Sequence, residues 1–84
     1  MNGKQSIPEI IPLVLEWYAK PENASGGIFH CILEDGNHEQ RWADMALEDA
    51  VVSGDKLAVK LAMALAAMSS TQRRKLSAMT LNDV

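Results

Sequence analysis

The sequence predicts an all-α fold, a single domain over residues 1–84 with about five short helices around a central Ala/Leu/Met-rich helix at 55–68. Three observations carry this. Between Asp55 and Met68, the residues Leu57, Leu61, Ala64, Leu65 and Met68 recur at the spacing of one helical face. No polar residue stands between Lys60 and Ser69, so the far half of that helix is apolar on every side and calls for a wrapping of protein. The apolar run is well short of the roughly 20 residues that cross a bilayer, which excludes a membrane span there. The flanking segments supply further helical periods and capping patterns, and no pair of strands is evident.

Taken in order, residues 1–5 read as a frayed leader. Ser6-Ile7-Pro8-Glu9 has the form of a capping box, with a proline in the first turn where its missing N–H costs nothing. Pro12 leaves two readings open, because inside a helix it removes a bond to the carbonyl of Pro8. Either a kinked helix starts at Ile7, or a short turn precedes a helix from about Ile11. In both, Leu13, Val14, Trp17 and Tyr18 form the apolar face and Lys20-Pro21 ends the helix.

Pro21 to Gly27 is the clearest loop. The segment 28–34 is β-branched and aromatic enough for a strand, with Asp35-Gly36-Asn37 as a turn. A lone strand cannot satisfy its backbone groups, so a helix is the better reading, with Ser25 as N-cap and Gly36 as its left-handed end. Asn37-His38-Glu39-Gln40 is a second capping-box form and predicts a helix running to about Ser53. Its apolar stripe is Ala43, Leu47, Ala50 and Val51, broadened by Trp42, Met45 and Ala46, opposite Arg41, Asp44, Glu48 and Val52. Gly54 stops this helix and Asp55 caps the next. After a break at Ser69-Ser70-Thr71, residues Gln72 to Met79 predict a short basic helix with Leu76 and Met79 inward, and 80–84 a tail that frays from residue 81.

Charge is unevenly placed. Hydrophobic residues make up 48% and charged residues 23%, an ordinary globular balance that excludes a disordered chain. The net charge of −3 conceals an acidic block, with Glu34, Asp35, Glu39, Asp44, Glu48, Asp49 and Asp55 against Arg41 alone. From Lys56 to Asn82 there are only cations: Lys56, Lys60, Arg73, Arg74 and Lys75. Glu34, Asp35, Asp44, Glu48 and Asp49 are the candidate contact face for a basic protein partner. A domain this small also makes a homodimer plausible. Cys31 is the lone cysteine and excludes an internal disulfide; with a polar start and no signal peptide, it predicts a cytoplasmic setting.

Few residues carry chemistry. His30, Cys31 and His38 are metal-ligand types, but no C-x-x-C or H-E-x-x-H spacing occurs. On a helix, Cys31 sits about 100° round from His30, which keeps the pair from one ion. The packing alternative makes Cys31 a small buried hydrophobe and has His30 fix the Asp35-Gly36-Asn37 turn. No metal and no cofactor is therefore expected, and a metal- or thiol-dependent enzyme is the weakest of three functional readings. Gly26-Gly27 lacks the context of a phosphate loop. Gln72, Arg73, Arg74 and Lys75, following a tight turn, resemble the start of a recognition helix and make a DNA-binding regulator the alternative function. Against it stand the acidic balance of the chain and the scatter of three adjacent charges around a helix. The simpler reading has the cluster offset a helix dipole and meet the acidic third helix.

Two blocks, Trp17-Tyr18-Ala19-Lys20-Pro21-Glu22-Asn23 and Gly26-Gly27-x-x-His30-x-x-Leu33-Glu34-Asp35-Gly36-Asn37, resemble small uncharacterised proteins encoded by bacteriophages and prophages. Met68 to Leu76 is similar to them as well. The resemblance implies a non-enzymatic accessory protein in the bacterial cytoplasm that binds and modulates a larger host or phage protein. It makes Gly26, Gly27, His30, Asp35, Gly36 and Asn37 a signature, either a structural corner or a binding site.

Overall fold

The computed structural model describes residues 7–23 and 27–83, with the side chains of 80–83 excepted. Among them are five α-helices and no strand: α1 Ile7–Tyr18, α2 Ile28–Leu33, α3 Gln40–Ser53, α4 Lys56–Ala67 and α5 Ser70–Asp83, with a 3₁₀ turn at Pro21–Asn23. The expected all-α domain is what the chain forms.

The helix reading from Ile7 holds, and α1 runs unbroken through Pro12. Pro8 and Pro12 both face solvent, so the carbonyl left without an N–H partner can meet water. Ile10, Val14 and Trp17 are its buried positions at i, i+4 and i+7. Ser6 lies outside the described residues. Helix α2 replaces the alternative strand, but it begins later than the sequence suggests. Its N-cap is Gly27 at φ 97°, a left-handed entry that favours glycine, and Ser25, the expected cap, lies outside the described residues. At the other end the carbonyl of His30 accepts from both Glu34 and Asp35 N–H, at 2.8 and 3.1 Å.

The capping box expected at Asn37 does not form, and α3 starts at Gln40 with Glu39 as an N-cap that makes no side-chain cap. The reason lies in competing partners. The Glu39 carboxylate accepts from Trp42 Nε1 at 3.2 Å and Arg41 Nη2 at 3.5 Å. Gln40 reaches across to donate to the Ala66 carbonyl at 3.0 Å. The core face of α3 is narrower than predicted: Ala43, Ala46 and Ala50 are buried, whereas Met45 and Val51 are 48% and 61% exposed. Three small residues in a row along one face let α4 approach closely, and the wider residues at the margins are left outside.

Gly54 ends α3 in the left-handed region at φ 77°, and Asp55 caps α4 by accepting from Leu57 and Ala58 N–H at 2.9 and 3.3 Å. With the turn at one end and Gln40 bonded to Ala66 at the other, α3 and α4 form an antiparallel hairpin. In α4, Leu61, Ala64, Leu65 and Met68 are buried and Leu57 half-buried, as predicted. Its far half is not wrapped all round, however: Met63 is 57% exposed and Ala67 also faces out. Each helix has two main neighbours, α1 on α4 and α5, α2 on α3 and α5, and α3 on α4, so the five close into a ring around one core.

The last helix departs most from expectation. It begins at Ser70 and extends to Asp83, so neither a start at Gln72 nor a tail from residue 80 is correct. Ser69 and Gln72 form a reciprocal cap: Gln72 N–H donates to Ser69 Oγ at 3.1 Å and Ser69 N–H to Gln72 Oε1 at 3.0 Å. Leu76 is fully buried as expected, but Met79 is 41% exposed. Ser77 is the inward residue instead, donating to the Leu33 carbonyl at 2.5 Å.

Candidate protein-docking surface

The acidic residues do not fall on one face. Glu34 and Asp35 follow the end of α2, Asp44 and Glu48 lie on the outer side of α3, and Asp49 sits about 100° round from Glu48. Asp49 instead lines an open cleft of about 660 Å³ with Trp17, Glu22, Phe29, Ala50 and Asp55. Glu34 is engaged internally. Its Oε2 accepts from the Tyr18 hydroxyl at 2.7 Å and meets His30 Nδ1. The Tyr18 hydrogen bond, with a smaller contribution from His30, holds the Glu34 carboxyl below its usual range against the opposing effect of burial. Burial, and then Glu34, push the Tyr18 phenol far above its ordinary value.

His30 serves this corner, though not as predicted. Its ring faces Asn23, with Nε2 2.9 Å from the Asn23 carbonyl oxygen, and the 35–37 turn is held by the His30 main-chain carbonyl. Gly27 and Gly36, at φ 97° and 81°, set the two bends around it, while Gly26 lies outside the described residues. Asn37 N–H donates to the Cys31 carbonyl at 3.1 Å. Cys31 is half-buried. At His38, burial, then the Arg74 and Arg73 charges, lower the pKa. Among the described residues, no three His, Cys, Asp or Glu side chains converge in a way that could hold a metal ion.

The basic cluster separates into one buried and two exposed cations. Arg73 is 1% exposed. Its guanidinium donates from Nε to the His38 carbonyl at 2.8 Å and from Nη1 to the Leu65 and Met68 carbonyls at 2.7 and 2.5 Å. Nη2 donates to Gln40 Oε1 at 3.3 Å. Leu65 and Met68 are the C-terminal carbonyls of α4, so Arg73 offsets the dipole of the neighbouring helix, not of its own. Gln72 is committed to its cap. Only Arg74 and Lys75 remain exposed for an outside partner.

What does reach the surface is a mixed strip on α3. Arg41, Met45, Glu48 and Val52 follow one another at i, i+4, i+7 and i+11, flanked by Asp44 and Val51. Val52 is 83% exposed, so this helix shows apolar side chains on both its core face and its outer face. Arg41 is drawn to Glu39 and lies over the Trp42 ring at 5.7 Å, leaving Asp44 and Glu48 as the charges that set the sign of the strip. Periodicity in the sequence places Arg41, Asp44, Glu48 and Val52 on this outer side, where they are exposed; Met45 and Val51, assigned to the core, join them there.

Comparison with known protein families, curated proteins and solved structures finds no match. Among the described residues, no helix is long and apolar enough to cross a membrane.

Asp55, which ties the loop after α1 to the hairpin, gives a pH-dependent test. Its carboxyl is held below the usual range by the Ala58 N–H, with Lys20 and the Leu57 N–H adding to the effect. A depressed folded-state value means the stabilisation is complete above the ordinary aspartate pKa of about 3.9 and is lost as pH falls through the lower folded value. Asp55→Ala is therefore expected to lower the thermal midpoint at neutral pH, and the gap to wild type should close in acid. Melting curves of both proteins across the acid range check this.

Proposed function

We propose that this chain is a non-enzymatic protein-interaction module that docks a basic, amphipathic helix of a partner chain onto the outer strip of α3. The observation that supports it most is the exposure of Met45, Val51 and Val52 beside Asp44 and Glu48 on a helix whose other face is already packed. A partner helix with apolar residues at one-turn spacing and flanking Lys or Arg would cover the apolar side chains and meet both carboxylates. The resemblance of the 17–23 and 26–37 blocks to phage and prophage proteins supports reading the module as an accessory protein of the bacterial cytoplasm that modulates a host or phage protein.

The test is a fluorescence-anisotropy titration with a labelled helical peptide of Leu and Lys at i, i+4 spacing. Binding should weaken with added salt and fall by about tenfold with Glu48→Lys, the effect of losing one close charge pair of about 1.4 kcal/mol. Val52→Asp should weaken it also. Titrations that show no binding, or binding indifferent to both substitutions, would overturn the reading.

A further inference from the structure

The hairpin carries a second strip with the same spacing. On α4 the exposed residues are Lys56, Lys60, Met63 and Ala67, again i, i+4, i+7 and i+11. In the antiparallel pair, equal steps out from Gly54 reach equal levels on the two helices, consistent with the Gln40–Ala66 bond at the far end. Val52 therefore lies level with Lys56, Glu48 with Lys60, Met45 with Met63, and Arg41 with Ala67. The strips match in register and are opposite in sign.

We infer that the basic, amphipathic helix that fits the α3 strip is α4 of a second copy of this chain, giving a two-fold dimer through the α3–α4 hairpins. This rests on the docking reading proposed above and names its partner. A two-fold axis along the hairpin preserves levels, so it sets each α3 strip on the partner's α4 strip with Met45 against a methionine and Glu48 against a lysine. Both contacts occur twice, since a two-fold interface repeats every pair. Neither Glu48 nor Lys60 has an ion pair within the chain among the described residues, so both are free to form one between chains. Pairing α3 on α3 across the same kind of axis would bring Glu48 near its own copy, and like charges disfavour it. The charges thus select one of the two ways in which hairpins could pack.

The experiment is sedimentation equilibrium of the full chain over a concentration series, with circular dichroism confirming that each variant is folded. Wild type should reach a dimer. Glu48→Lys and Lys60→Glu should each weaken self-association by at least about tenfold, and the double variant should recover it, because reversing both charges restores the attraction. Wild type that stays monomeric at the highest concentration, or single and double variants that associate equally, would overturn the dimer. The Leu/Lys peptide separates this from the docking reading: a monomer that still binds the peptide, with loss on Glu48→Lys, sinks the dimer and leaves the docking strip standing. A monomer that ignores the peptide sinks both.

Discussion

Arg73→Ala is expected to destabilise the protein by about 2–5 kcal/mol, the cost of leaving buried main-chain carbonyls without a donor. The guanidinium is 1% exposed and donates to three main-chain carbonyls, those of His38, Leu65 and Met68. Truncation leaves the His38 and Met68 oxygens without this donor, while Leu65 keeps the Met68 N–H at 3.2 Å; each unsatisfied buried group costs about 1–3 kcal/mol, less whatever entering water recovers. A domain of this size has a total stability on the order of 4–12 kcal/mol, so the loss is a large share of it. Urea unfolding followed by circular dichroism should show the midpoint falling steeply. Arg73→Lys should fall between the two, because an ammonium keeps the charge but cannot reproduce the planar fork that spans separate carbonyls. Arg74→Ala and Lys75→Ala should stay within about 0.5 kcal/mol of wild type, as exposed substitutions do. Equal effects at all three positions would contradict the buried-cap role of Arg73. The comparison also bears on the DNA-binding alternative, since any loss of DNA affinity on mutating Arg73 would have to be separated from unfolding.

The case of Arg73 shows where sequence reasoning reached its limit. Periodicity located α1, α3 and α4, because burying an apolar stripe is what makes a short helix stable and that stripe is written in spacing; α2 was legible only because a lone strand has no partner for its backbone groups. Gly54 and Asp55 were equally legible: a left-handed stop and a carboxylate cap are local devices, complete within a few residues. Caps that compete with long-range partners were not. The residues at 37–40 have capping-box form, yet Gln40 bonds Ala66 and Glu39 is taken by Trp42 and Arg41. Conversely, Ser69-Ser70-Thr71-Gln72 is a working capping box that passed as a chain break, and its recognition would have started α5 at Ser70. Arg73 then falls one turn after Ser69, against the end of α4, a position from which an inward guanidinium could have been suspected. The surface suffered the same asymmetry. Val51 and Met45 fit the period of the core stripe, and only the narrowness of the Ala43, Ala46 and Ala50 contact decides that they remain outside. Two apolar stripes on one helix cannot both be assigned by period; packing against a named neighbour is required.

Trp17→Ala is the second substitution with a large expected effect, a loss of about 3–5 kcal/mol as for other buried aromatic truncations. Trp17 is 5% exposed and is the ring around which the α1–α2 corner packs. Its indole lies edge-on to Phe29 at 4.9 Å and to Tyr18 at 5.1 Å, with His30 tilted at 5.4 Å. Edge-to-face pairs of this kind add about 0.5–1.5 kcal/mol beyond burial, so removing the indole takes away more than its area. The same residue's carbonyl accepts from Asn23 Nδ2 at 3.0 Å, and Asn23 in turn offers its carbonyl to His30. The side-chain cavity would thus open beside Asn23 of the 3₁₀ turn. Trp17→Phe should recover much of the loss, since a phenyl ring restores apolar contact with Phe29 while leaving a smaller void. The measurement is again urea unfolding, now paired with hydrogen exchange at the N–H groups of α2. If the corner hangs on this ring, exchange there should accelerate more than in the α3–α4 hairpin, whose closure at Gly54 and Ala66 does not involve Trp17. Uniform acceleration across both would mean that the five helices open as one unit, and the corner has no separate stability to lose.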